Sequence, residues 1–379
     1  MVELSKEALD YVQSHQEELE QLILDLCRIP APSHHEEKRA QFCKEWFIKA
    51  GGQDAYIDEA LNVVCPWHYK EEGPVIVMMA HTDTVFPDTE PMEPVVTEKR
   101  IACPGVGDDT ANLAVLMLAA KYVMQKGIVP SCSVLFVANS CEEGLGNLKG
   151  SRQIMKDFGD RVKYLISYDG YMNGMTVRAV GSCRFKVEVR TEGGHSYANF
   201  GNRNAIHMLS SMIDTLYDVK IPKDMGLTTY NVGSISGGTS VNTIAQSASM
   251  LCEYRSDKKE GMAFMQNVYD RLFETYRAMG VDVQVELIGE RPCSGNPDPE
   301  TMKWLQETAQ TAIETYAGMK ASAGSGSTDC NIPLSMDIPA ICPGVVCGGG
   351  AHTRQEYIER DSLLPGLKVG LALMLSYIA

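Results

Sequence analysis

Residues 75–87 read VIVMMAHTDTVFP. An apolar run, Val75 to Ala80, passes directly into His81, Thr82 and Asp83. Strands buried on both faces read as such unbroken runs, and they belong to parallel sheets covered by helices. In open sheets of that class, functional groups gather where the strands end. His81 and Asp83 are two apart, so an extended backbone turns them the same way. An imidazole beside a carboxylate is the pairing of a metal ligand with the acid that orients it.

A length of 379 residues predicts roughly two domains, at about 150 residues each. The 44% hydrophobic content supplies a sizeable core. A net charge of −15 disfavours nucleic acid and anionic membranes as partners. None of the 12 cysteines forms a CxxC pair, and many sit inside apolar runs. They read as reduced, buried thiols of a cytoplasmic protein. The charged N-terminal stretch MVELSKEALDYVQSHQEELEQL has no apolar signal core. The apolar run from Leu363 to Ala379 is broken by Lys368 and two glycines. It is short for a membrane span and reads as a packed terminal helix.

Helical spacing covers residues 5–28 and about 36–50, with Pro30 and Pro32 between them. After the Val75 strand comes a buried helix from Ala111 to Met124. Strands follow over Ser133–Ala138 and Tyr164–Tyr168. This alternation predicts a mostly parallel sheet. From Thr176 the segment VRAVGSCRFKVEVR alternates, as a strand with one wet face does. A helix at about 204–217 and strands near 226–235 and 245–256 follow. A helix at 259–279 and a strand at 281–288 then complete a β-α-β-β-α-β, ferredoxin-like order. Beyond Arg291-Pro292 come a helix at 299–318, a Gly/Ser-rich loop at 322–328, a short strand near 339–341 and the closing helix. The predicted class is α/β: a catalytic domain, residues 1–177 and 290–379, interrupted by a smaller α+β domain at 178–289.

Acids and imidazoles recur at element ends: His81 with Asp83, Asp108-Asp109 in GVGDDTAN, Glu142-Glu143 in NSCEEGLG, Asp169 in SYDG, and His352 in CGGGAHTRQE. Any one of them alone is ordinarily a helix cap, a solvated loop residue or a structural histidine. Together they should open on one sheet edge, where closely packed carboxylates repel unless a cation separates them. Two histidines with several carboxylates suit Zn²⁺, and Co²⁺ or Mn²⁺ also fit. Two such ions, about 3.5–4 Å apart, need a carboxylate between them, and Asp108 fits that place. Of the adjacent Glu142 and Glu143, one can ligate while the other moves a proton.

The motifs HTDTVFP, GVGDD, CEEG, SYDG, GGHS and GAHTRQE, in that order, resemble a di-zinc metallopeptidase family. The family includes aminoacylase, carboxypeptidase G, peptidase T and the acetylornithine and succinyl-diaminopimelate deacylases. The resemblance spans His81 to Glu356. It implies a zinc-exopeptidase catalytic domain with an inserted lid and dimerisation domain. It also implies His81 and Asp169 on one zinc, Glu143 and His352 on the other, Asp108 between them, Asp83 orienting His81, and Glu142 as general base. It implies that His195, in EGGHSYAN, is an oxyanion donor reaching the partner subunit's site, hence a homodimer. Asn242 in SVNTIA and Arg255 in EYRS resemble substrate-contacting residues. Two positions depart from the family pattern. Thr110-Ala111 replaces the usual Lys-Gly, and Asp169 stands where deacylases and carboxypeptidases carry Glu. The Asp form goes with enzymes that accept a free α-amine.

The expected function is therefore a cytoplasmic di-zinc tripeptide or dipeptide aminopeptidase. A deacylase of N-acyl amino acids, or a carboxypeptidase, is the rival within the same chemistry. A catalytically silent metal- or peptide-binding protein is the rival of another class, and Glu142, which has no ligand role, speaks against it. A nucleotide-binding α/β enzyme is the third and weakest reading, since GVGDDT lacks the third glycine of a dinucleotide fingerprint and no GxxxxGK[ST] occurs.

Overall fold

The strand Val75–His81 is buried at every position and lies inside an eight-stranded sheet. The computed structural model describes residues 3–379; Met1 and Val2 of the N-terminal stretch lie outside the described residues. The chain divides into two compact units. The first holds the residues up to Ala179 together with Gly295–Ala379, and the second holds Val180–Ser294.

In the first unit the sheet runs Tyr56–Ile57, Val63–Trp67, Ser133–Asn139, Val75–His81, Val162–Ser167, Ala340–Pro343, Gly174–Ala179 and Ser322–Gly326. Its four middle strands, Ser133 through Ala340, are mutually parallel, while Val63–Trp67 and Gly174–Ala179 join them antiparallel. The helix Ala111–Gln125 is buried at every position except Lys121 and Gln125. A helix apolar all round must lie inside the protein, and it packs against the closing helix Leu363–Ile378. At their crossing a side chain on Gly370 would meet Val115 Cγ1 at 2.4 Å, so the two backbones approach only over a glycine. Together with the turn before it, the closing helix spans Arg360–Ile378, long and apolar enough to cross a membrane, but most of that stretch is buried inside this unit.

Three local readings of the sequence differ from the structure. The helix expected over 5–28 is two, Lys6–Ser14 and Gln16–Cys27. His15 between them leaves helical torsion (φ −109°, ψ 15°) and stacks its ring on Tyr11. The alternating segment VRAVGSCRFKVEVR is also two strands, Gly174–Ala179 in the first unit's sheet and Gly181–Arg190 in the second's. The period of two runs unbroken through Val180 while the pairing partners change. Part of the Gly/Ser-rich stretch read as loop is the edge strand Ser322–Gly326, parallel to Gly174–Ala179. Its small residues carry no strand signal, and a Cβ on Gly326 would strike Thr176 Oγ1 at 2.5 Å.

The second unit is a four-stranded antiparallel sheet in the order Thr228–Gly237, Ser247–Ser256, Gly181–Arg190, Asp282–Arg291. Numbered along the chain, that order is 2-3-1-4, the ferredoxin-like arrangement. The helices Ala205–Tyr217 and Lys259–Ala278 bury Leu209, Met212, Met265 and Tyr269 with Phe185, Val187 and Met250 of the sheet.

Candidate metal centre

Parallel pairing makes three strands end together. His81 is in register with Asn139, and Met79 is in register with both Val137 and Ser167. His81 therefore ends one strand, Glu142-Glu143 lie just past the second, and Asp169 lies just past the third. Asp108 arrives on the loop that precedes the buried helix Ala111–Gln125. His352 follows the short strand Gly348–Gly349, in left-handed backbone torsion (φ 62°).

Asp108 stands between the two histidines. Its Oδ1 is 3.0 Å from His81 Nε2, and its Oδ2 is 3.1 Å from His352 Nε2. His352 Nε2 is also 3.2 Å from Glu143 Oε1, and His81 Nε2 is 3.9 Å from Asp169 Oδ1. The other nitrogen of His81, Nδ1, lies 3.4 Å from Asp83 Oδ1 and 3.0 Å from the Asp83 carbonyl oxygen. Asp83 is held in turn by Ser33 Oγ, which donates to its Oδ2 at 2.6 Å. Asp83 also accepts the backbone N–H of Glu142 at Oδ1 (2.9 Å) and of Glu143 at Oδ2 (3.0 Å).

The charges are packed under strain. Burial pushes the Asp169 carboxyl up to about 7, with Asp108 and Glu143 adding to it. Burial likewise raises Glu143. Burial acts the same way on Asp108, but the hydrogen bonds to His352 and His81 outweigh it and hold that carboxyl below its ordinary value. Hydrogen bonds from Asp108 and Glu143 raise His352 to about 11. His81 is raised despite burial, by Asp109, Asp108 and Asp83. Carboxylates this close are stable only beside positive charge, and the same crowding makes both imidazoles hold a proton more tightly than free histidine does.

Divalent cations fit the same places. Donor atoms of His81, Asp108 and Asp169 lie within 4.8 Å of one another, as do those of Asp108, Glu143 and His352, and those of His81, Glu142 and Glu143. The first two sets share Asp108, so one carboxylate can face two ions with its two oxygens. Imidazole and carboxylate donors form the borderline set that zinc takes.

His195, Asn242 and Arg255 lie in the second unit. Gly194–His195 pairs with Thr243–Ile244, and Ser196 N–H donates to the Asn242 carbonyl at 2.9 Å. The structure thus brings His195 and Asn242 together. His195 Nδ1 accepts the backbone N–H of Tyr197 (3.2 Å) and of Ala198 (3.4 Å). An acceptor at Nδ1 leaves the proton of the neutral ring on Nε2. Arg255 is engaged within its own sheet, donating from Nε and Nη2 to Glu253 at 2.8 and 3.0 Å.

The structure adds residues with no assigned role in the sequence. Glu356 is 1% exposed and accepts three backbone N–H groups of the loop that carries Asp108. Asn112 donates to the Gly107 and Gly170 carbonyls and accepts from Val345 N–H, tying three loops together. Asp109 accepts the His81 backbone N–H. Arg39 is a buried guanidinium spread over the Leu26, Ile29 and Thr82 carbonyls. The spacing of Glu356 four residues after His352 was visible in the sequence, but its partners were not.

The sequence model for peptidase family M20/M25/M40 matches residues 77–376. The chain is 23% identical over 366 residues to the uncharacterized protein YqjE of Bacillus subtilis, covering 93% of this chain and 96% of that one. Among solved structures, a tripeptidase from Staphylococcus aureus superposes with a TM-score of 0.77 at 24% identity, over 95% of this chain and 98% of the other. Aminopeptidase PepT from Bacillus cereus gives 0.73 at 22%, over 94% and 97%. At these identities the two structures are alike in fold.

Proposed function

The chain belongs to peptidase family M20/M25/M40, and from that premise we propose that it is a di-zinc exopeptidase that removes the N-terminal residue from tripeptides or dipeptides. The observation that carries the reading is Asp108 facing His81 with one carboxylate oxygen and His352 with the other. In this reading His81, Asp108 and Asp169 hold one ion, and Asp108, Glu143 and His352 hold the second. The bound ions supply Lewis acidity, which lowers the pKa of water to roughly 7 and polarises the scissile carbonyl.

The chain's own groups do the rest. Glu142, 5% exposed, takes a proton from the attacking water and passes it to the leaving amine. Asp83 fixes that base by holding the Glu142 and Glu143 amides while it orients His81. His195 donates from Nε2 to the oxyanion developing in the partner subunit's site, the tautomer its backbone contacts favour. Asn242 contacts the substrate, and Arg255 meets its carboxylate. Asp169 is a methylene shorter than the Glu of deacylases and carboxypeptidases, which leaves room for a free α-amine.

The second unit also serves as the dimerisation surface in this reading. Its strand Thr228–Gly237 is a sheet edge exposed over most of its length, and Tyr197, Phe200, Ile235 and Val241 are exposed apolar residues of the same unit. All twelve cysteines are free thiols, which suits the cytoplasm.

A panel of free, N-acetylated and C-amidated di- and tripeptides, assayed with and without a chelator, tests the proposal. Chelator-sensitive cleavage of free peptides is expected, with C-amidated ones cleaved more slowly because they lack the carboxylate that Arg255 meets. Cleavage confined to N-blocked substrates would replace it with deacylase activity.

A further inference from the structure

We propose that Glu356 is a positioning residue that sets where Asp108 sits, and so governs both metal positions at once. The inference rests on the di-metal reading above and deepens it.

The loop between the strand Arg100–Ala102 and the helix Ala111–Gln125 carries Asp108. Its backbone turns three N–H groups to one side. Gly107 N–H and Asp108 N–H donate to Glu356 Oε1 at 2.7 and 2.8 Å, and Gly105 N–H donates to Oε2 at 2.9 Å. The loop is packed from elsewhere too. Gly105 has φ 76°, and a Cβ there would meet Thr84 Cγ2 at 2.5 Å; a Cβ on Gly107 would meet the Tyr171 ring at 2.8 Å. Three buried amides with one carboxylate as common acceptor need that carboxylate. Its two oxygens offer about four lone-pair sites for the three donors.

The same segment is fastened to the loop along its length. Cys103 N–H donates to the Glu356 carbonyl at 3.1 Å, and Tyr357–Glu359 pairs antiparallel with Arg100–Ala102. His352 lies four residues before Glu356. One stretch therefore carries a candidate ligand, the carboxylate that grips the Asp108 loop, and the strand that docks both. Glu356 is in none of the metal-capable groups among the described residues, so it acts through Asp108 rather than on substrate.

A test follows from the sharing of Asp108. Loss of a ligand used by one ion, such as Asp169 or Glu143, weakens one position. Loss of the grip on Asp108 weakens both together. Co(II) is titrated into metal-free wild type, Glu356→Gln and Glu356→Asp, against a chromogenic chelator, with the visible d–d bands recorded. Gln turns an NH₂ towards a backbone donor; Asp keeps both acceptor oxygens but withdraws them by one methylene. Both variants are expected to bind both ions about 10- to 100-fold more weakly with shifted bands, while far-UV circular dichroism of the metal-free proteins stays that of wild type. A merely structural role would lower the melting temperature and leave the bands in place. Either variant, folded and binding two Co(II) with wild-type affinity and spectrum, overturns the inference. Should Glu356→Gln fail to fold, the Glu356→Asp spectrum decides. Wild type that takes up no Co(II) would instead overturn the functional reading itself.

Discussion

Asp83 accepts the backbone N–H of Glu142 at 2.9 Å with the same oxygen, Oδ1, that lies 3.4 Å from His81 Nδ1. One carboxylate therefore touches both the imidazole proposed as a metal ligand and the backbone of the residue proposed to move protons. Asp83→Asn puts an NH₂ group where one of these oxygens accepts. We expect zinc affinity and turnover each to fall about 10- to 100-fold, measured by chelator competition and steady-state kinetics.

Glu142 separates an enzyme from a silent binding protein. Glu142→Gln keeps shape and removes the base. Its zinc stoichiometry by atomic emission should match wild type, while kcat falls by about 10²- to 10⁴-fold. Unchanged kcat removes Glu142 from the mechanism.

Metal uptake should release protons. In the metal-free protein His352 is raised to about 11, chiefly by its hydrogen bond to Asp108 and then by that to Glu143, and His81 is also raised. His352 therefore carries its second proton at neutral pH, His81 is shifted in the same direction, and a cation must displace the protons these rings hold. Apparent zinc affinity should rise by about tenfold per pH unit for each proton displaced, followed by calorimetry in buffers of different ionisation enthalpy. The sign for the metal-free fold is opposite. The contribution of His352 is fully present below its ordinary pKa of 6.5 and is lost as pH rises through about 11.

Asn112 is 0% exposed and makes three hydrogen bonds that join the Asp108 loop, the Asp169 loop and the segment after Pro343. Asn112→Ala leaves an amide and two carbonyls buried without it. We expect a loss of at least about 2 kcal/mol in urea unfolding of the metal-free protein, together with weaker zinc binding.

The exposed face of the second unit should be covered in a dimer. Phe200 is 91% exposed and Tyr197 is 89% exposed. Phe200→Asp combined with Ile235→Lys should shift the mass found by sedimentation from two chains to one. A wild-type monomer at micromolar concentration removes the dimer from the proposal.

Much of this was legible along the chain. Val75–His81 and Ala111–Gln125 are buried on all sides, so an unbroken apolar run is their signature, and the acids at their ends stand out. The β-α-β-β-α-β order of the second unit also reads directly, because each element keeps its own period. Other elements left less trace. Val63–Trp67 contains a proline and lies towards the sheet edge, and Ser322–Gly326 is built from small residues. The strand break at Val180 changes partners without changing period.

The sequence by itself determined which acids and imidazoles stand at the ends of its elements and that parallel strands would deliver several of them to one edge, since residue type and periodicity are local properties. Only the tertiary structure decided that Asp108 splits its oxygens between His81 and His352, that Asp83 serves the glutamate amides as well as the imidazole, and that Glu356 holds the loop between them. Those contacts join segments up to 251 residues apart. Their geometry depends on how loops pack across the sheet edge, which no local pattern encodes.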